Sequence, residues 1–159
     1  MKIIAFSWTT PALLLGEKTC TRRDWNDDYA RRFRAGELVT AYDRSPRVGS
    51  KAVGTIVLAR APYYSDELPE EDFEREGFAV LTELGLKVNG SKPMDVWLSW
   101  KRYPEAQWIV RFALVDFAPY GVDLKRQAKN ALATAALARY YREHPEAGRV
   151  SDETMRRLL

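Results

Sequence analysis

Apolar residues recur at every second position in some short stretches of this chain and at every third or fourth in others, and these two periods sort the sequence into elements. Residues 2–7, "KIIAFS", read as a short buried strand, β-branched and aromatic between polar flanks. Thr9 or Thr10 then caps a helix of one to two turns, with Pro11 in its first turn and Gly16 as its stop. The threonines of "EKTCTRR" favour extended chain. "NDDYARRFRAGE" predicts a short helix with an Asn or Asp cap, Tyr29 and Phe33 paired at i,i+4, and a stop at Gly36. "ELVTAYD" and "KAVGTIVLARAPYY" follow as strands around the Ser45 to Ser50 turn, with Gly54 marking a bulge or a close backbone approach.

The second half begins with "SDELPEEDFEREGF", which predicts a helix capped by Ser65 or Asp66, its acidic residues placed where the helix dipole favours them. "AVLTELGL" and "PMDVWLSWKRYP" also read as helical, the latter stopping before Pro104. "AQWIVRFALVDF" alternates, with Trp108, Val110, Phe112 and Leu114 on one face, and is expected to return to the sheet. Asp123 caps the longest helix, "LKRQAKNALATAALARYYREH", which Pro145 ends. The layout is α+β: a mixed, largely antiparallel sheet with helices inserted between strands.

Composition narrows this reading. A chain of 159 residues, 46% of them apolar, is long enough for one domain with a real core. The apolar runs Ile3 to Phe6 and Ala131 to Ala138 fall far short of the ~20 residues of a membrane span, and no A-x-A-like cleavage site follows the N-terminal stretch. One cysteine, Cys20, and one histidine, His144, exclude an internal disulfide and the usual Cys/His zinc patterns. The expectation is a reduced, cytoplasmic protein that uses no metal, cofactor or membrane; the sequence leaves its oligomeric state open. Residues 1–60 carry 11 Lys/Arg against 6 Asp/Glu, whereas residues 61–90 carry 2 against 8. Basic and acidic segments so separated suit an anionic partner held on one face, and equally suit ordinary solvated surfaces.

The densest chemistry lies in "GEKTCTRR", Gly16 to Arg23. Residue types alone also describe a polar edge strand, with solvated lysine and arginines, sheet-forming threonines and Cys20 as a small core residue. The order of elements adds to this. A short helix ending in "GEKTCTRR", then "AGELVTAYD", "AVGTIVLA", "EREGF", a Trp-rich helix and "WIVRFALVDF" together resemble an ASCH domain, a relative of the PUA domain. The resemblance covers about residues 1 to 118, and its signature, G-x-K-x-x-T-x-R, is matched by Gly16, Lys18, Thr21 and Arg23.

It implies a PUA-like small mixed β-barrel with helices across its openings over residues 1–122, plus a helical C-terminal extension, 123–159, packed on it. It also implies a basic cleft beside the signature that takes RNA or a modified nucleoside. In the small bacterial amidohydrolases of that family, which hydrolyse N4-acetylcytidine, a Lys, a Thr and a Glu are catalytic. These map onto Lys18, Thr21 and Glu76, with Glu74 two residues from the last. The resemblance admits a metal-independent ribonuclease as well. This chain departs from the compact members in its longer stretch before the last strand and in its tail.

Hydrolysis through these residues makes demands of its own. Thr21 as nucleophile needs a neighbour to accept its proton, so Lys18 must be neutral, its pKa brought well below the ordinary range by burial or by adjacent positive charge such as Arg22 and Arg23. A protonated Glu76 would serve as proton donor. In a regular strand Lys18, Cys20 and Arg22 share one face and Thr19, Thr21 and Arg23 the other, so Lys18 and Thr21 converge only if the chain bends after Gly16. Trp8, Arg22, Arg23 and Trp25 are the candidate ligand-binding neighbours, the tryptophans as stacking platforms. Trp97, Trp100 and Trp108 are expected in the core.

Overall fold

The computed structural model describes residues 1–147 and, beyond them, residues 153, 156 and 157. Six strands form one curled sheet: β1 (Ile3–Ala5), β2 (Cys20–Arg23), β3 (Leu38–Tyr42), β4 (Ala52–Leu58), β5 (Tyr63–Ser65) and β6 (Gln107–Phe117). The order is β1-β3-β4-β6-β2, with β1 parallel to β3 and the remaining pairs antiparallel. The 11-residue β6 organises the sheet, because its second half pairs with β4 while its first half pairs with β2 and β5. Gly54 pairs with Phe117 beside a register shift, and a Cβ there would sit 2.4 Å from the Asp116 carbonyl oxygen, so the close approach expected of this glycine is real.

Among the described residues there are six α-helices: α1 (Thr10–Leu14), α2 (Asp27–Ala30), α3 (Asp72–Arg75), α4 (Phe78–Glu83), α5 (Pro93–Arg102) and α6 (Pro119–Glu143). The Asn26 side chain caps α2, accepting from the Tyr29 N–H at 2.8 Å. Two expected starts move. The acidic helix spans only α3, because Tyr63 to Ser65 pair with β6 and the Ser65 hydroxyl accepts from the Glu67 N–H in a turn. The last helix begins at Pro119 rather than after Asp123, since proline is pre-organised for a first turn. The expected boundary between residues 122 and 123 therefore falls within α6, and the end of the extension lies outside the described residues.

Two cores result. One fills the curl of the sheet with Ile4, Phe6, Leu13, Phe33, Val39, Ile56, Val110 and Phe112; the other, of Ala12, Phe78, Leu81 and Trp97, lies among the helices. Helix α1 contributes to both, which fixes it between sheet and helices. Arg23 on β2 donates from Nη2 to the carbonyl of Ala5 on β1, so a side chain spans the two edges of the curl. The fold is mixed α+β with a half-barrel sheet. No helix among the described residues is long and apolar enough to cross a membrane.

Candidate functional site

Gly16, at φ +77°, ends α1, and the next two N–H groups, of Glu17 and Lys18, both return to the Ala12 carbonyl at 2.9 and 3.1 Å. The chain is therefore still turning at Lys18, and β2 starts only at Cys20. Lys18 forms an isolated antiparallel bridge with Glu76, and the Thr19 N–H donates to the Arg75 carbonyl at 2.8 Å. Opposite it, Gly77 at φ +87° joins α3 to α4; a Cβ there would lie 2.4 Å from that of Ala12. Only glycine lets this corner press against α1 and deliver Glu76 onto Lys18.

The side chains meet as the backbone does. Lys18 Nζ donates to Glu76 Oε2 at 2.8 Å and to the Glu76 carbonyl at 2.9 Å, with both side chains buried. Arg22 Nη1 takes the other carboxylate oxygen at 2.8 Å, and the Cys20 thiol lies 3.7 Å from it. Arg22 Nη2 reaches Asp72 Oδ2 at 2.5 Å, and Asp72, wholly buried, also accepts two bonds from Arg111 at 2.7 and 2.9 Å. Arg111 in turn donates from Nε to the Tyr63 hydroxyl at 3.0 Å. With Arg75 Nη1 also 3.5 Å from Asp72 Oδ1, four cations surround the two carboxylates, a surplus of positive charge in a place with little water to screen it.

The environment shifts these groups in different directions. Burial lowers the Lys18 pKa, and the charge and hydrogen bond of Glu76 offset this only in part. Burial also pushes the Cys20 thiol up to about 12, helped by Glu76, so it stays a neutral thiol. Burial opposes ionisation of Asp72, but the bonds from Arg111 and Arg22 outweigh it and hold its carboxyl below the ordinary range. For Arg22, burial is likewise overcome by the bond to Asp72 and the charge of Glu76, and its pKa rises.

Of the residues expected at the site, the structure brings Lys18, Glu76 and Arg22 together. Thr21 takes the opposite face of β2 from Cys20 and Arg22, where its hydroxyl accepts from Arg23 Nε at 3.2 Å. Arg23 turns to Ala5 and lies over the Phe6 ring, 5.7 Å from its centroid. Trp25 stacks on Phe33 with centroids 4.8 Å apart, so that ring is used in packing. Trp8 stands 56% exposed at a different cleft. Asp72 and Arg111 are the members that sequence reading missed. Arg111 did carry a signal, as the one charged residue in the otherwise apolar run "WIVRFALV".

Access to the cluster is narrow. A crevice of about 90 Å³ has Arg22 in its lining together with Trp100, Tyr103, Asp66, Glu67 and Glu105. The Arg22 guanidinium lies over Trp100, 5.9 Å from its centroid, and donates to the Glu67 carbonyl at 3.3 Å. Lys18, Thr21 and Glu76 do not line that crevice. Among the described residues no group of three or more His, Cys, Asp or Glu side chains is placed to hold a metal ion.

No family model matches this chain, and no curated protein matches it. Among solved structures it is similar to the crystal structure of protein EF3133 from Enterococcus faecalis V583, described with the family model DUF984. The two share 12% identity, with 74% of this chain and 82% of that one covered, at a TM-score of 0.45.

Proposed function

We propose that the protein is an ASCH-like, PUA-related domain that binds a modified nucleoside, free or within RNA, at the Arg22 crevice above the Lys18–Glu76 pair. The observation that carries this is the buried contact of Lys18 with Glu76, 58 residues apart in sequence, which are the two residues that the ASCH resemblance pairs. The crevice chemistry suits a base edge. The Arg22 guanidinium offers donors to ring carbonyl and nitrogen acceptors, and Glu67 and Glu105 offer acceptors to an exocyclic amine, the pattern of a cytosine. An acidic rim disfavours phosphate, which favours a nucleoside over an RNA backbone as the recognised group.

A second reading, an amidohydrolase acting on N4-acylated cytidine, is favoured by the lowered Lys18 pKa beside a carboxylate, a couple suited to proton transfer. Thr21 as its nucleophile must give up the bond its hydroxyl accepts from Arg23 Nε, and no hydrogen bond among the described residues joins that hydroxyl to Lys18. No feature of the cluster favours phosphodiester cleavage over these two. The discriminating experiment titrates the protein with cytidine, N4-acetylcytidine and single-stranded RNA while following release of cytidine. Saturable nucleoside binding without turnover, lost in Arg22→Ala, supports the binder. Release of cytidine that stops in Lys18→Ala supports the hydrolase. Absence of binding to all three ends both readings.

A further inference from the structure

A larger cleft, of about 500 Å³, shares no lining residue with the Lys18–Glu76 cluster and falls within the usual size range of small-molecule sites. Its floor is aliphatic, with Leu14 from α1 facing Leu124 and Ala128 from α6. Trp8 stands at this cleft with 56% of its surface exposed, and its indole has no ring, cation or hydrogen-bond partner among the described residues. The residue before it, Ser7, holds φ +48°, a left-handed conformation that L-residues rarely adopt. Both the backbone N–H and the hydroxyl of Thr10 bond to the Ser7 carbonyl and fix that turn. A strained, pinned turn that presents an uncovered indole to a cleft is a built platform for a flat ring.

Charge decides what the ring carries. Arg44 lies in the cleft lining with its side chain 62% exposed, and its Nε is 3.9 Å from Asp43. Lys51 Nζ sits 5.2 Å from the centroid of Tyr120, another wall residue, while the Lys51 N–H occupies an oxygen of Asp43 at 3.2 Å. Within the lining the loose 3.9 Å pair with Asp43 leaves the other donors of the exposed Arg44 guanidinium unengaged among the described residues, and Lys51, outside the lining, adds a second cation beside the Tyr120 wall. We propose that this cleft binds a small aromatic monoanion, its ring on Trp8 over Leu14 and Leu124 and its anionic head toward Arg44. This site is independent of the nucleoside reading.

Calorimetric titration of the full chain with 1-naphthoate and with 1-naphthylmethylammonium, a cation of similar shape, tests it. The expected result is one naphthoate site that Trp8→Ala and Arg44→Glu each weaken about tenfold or more, from the loss of stacking and of charge, without a change in melting temperature. The cation should bind at least about tenfold more weakly and gain in Arg44→Glu. Equal affinity for the two ions, naphthoate binding indifferent to both substitutions, or no naphthoate binding at millimolar concentration overturns the proposal. None of these outcomes depends on Lys18, Arg22 or Glu76.

Discussion

Lys18 Nζ gives two hydrogen bonds to one residue, Glu76, at 2.8 Å to its carboxylate and 2.9 Å to its backbone carbonyl. The double bond ties the loop after α1 to the corner between α3 and α4, and it does so in a buried place.

Because Arg22 also holds the Glu76 carboxylate, the two partners of the pair are not equivalent. Lys18→Met leaves Glu76 with a cation, whereas Glu76→Gln leaves Lys18 and Arg22 facing a neutral amide. Breaking a buried pair from one side costs ~3–5 kcal/mol, and Glu76→Gln should lie in that range with Lys18→Met below it. In the double variant the loss should be smaller than the sum of the two. Urea unfolding measures all three, and equal losses for the single variants would show that Arg22 does not share the carboxylate.

Alkaline pH separates Lys18 from Cys20. Burial lowers the Lys18 pKa, so the unfolded chain binds that proton more tightly. Its cost to the fold is whole below the folded pKa and is relieved as pH rises from there toward the ordinary value of 10.5. Cys20 does the reverse. With its pKa raised from 9.0 to about 12 by burial and by Glu76, its contribution is whole below 9.0 and is lost as pH climbs toward about 12. The stability of the wild type relative to Lys18→Met should therefore rise with pH up to about 10.5, and relative to Cys20→Ala it should fall above about 9. Urea midpoints across the alkaline range decide it; parallel curves for wild type and either variant sink the corresponding half.

Acid pH reports on Asp72. Its pKa is held below the ordinary 3.8, so its stabilisation is present above that value and lost as pH falls through the folded one. Asp72→Asn should be less stable at neutral pH, because Arg22 and Arg111 lose a shared anion, and should show a flatter loss of stability below about 3.8. An acid unfolding limb identical to that of wild type would mean that other carboxylates set it.

Much of this fold is legible in the sequence because strand alternation is a local signal. The stretch around Gly54 and the run from Trp108 to Leu114 announce β4 and β6, and Asn26 announces the start of α2. What is decided at long range is not legible in that way. Ser65 belongs to β5 because β6 lies beside it, against the local preference of an acidic segment for helix. At the site, the facing of Thr21 follows from the two-residue period of β2, and the resemblance supplied Lys18 with Glu76. Asp72 stayed hidden among six acidic neighbours from Asp66 to Glu76. Its burial requires Arg22 and Arg111 to arrive from two other strands, and only the assembled sheet brings them there.

The corner that carries Glu76 supplies the last test. Gly77 at φ +87° sits where an added Cβ would lie 2.4 Å from the Ala12 Cβ and 3.3 Å from that of Lys18. Gly77→Ala thus adds a left-handed strain of roughly 1–2 kcal/mol to a direct clash with α1. Ala12→Gly removes the clash but not the strain, so Gly77→Ala combined with Ala12→Gly should regain only part of the stability lost in Gly77→Ala. Since the clash pushes the corner, and Glu76 with it, away from Lys18 and so removes the two interactions that raise the Lys18 pKa, Gly77→Ala should lower that pKa further, detectable as a larger alkaline gain in stability. A Gly77→Ala protein as stable as wild type, with an unchanged alkaline limb, would show that the corner between α3 and α4 has room to move and that Glu76 is not held there by backbone shape.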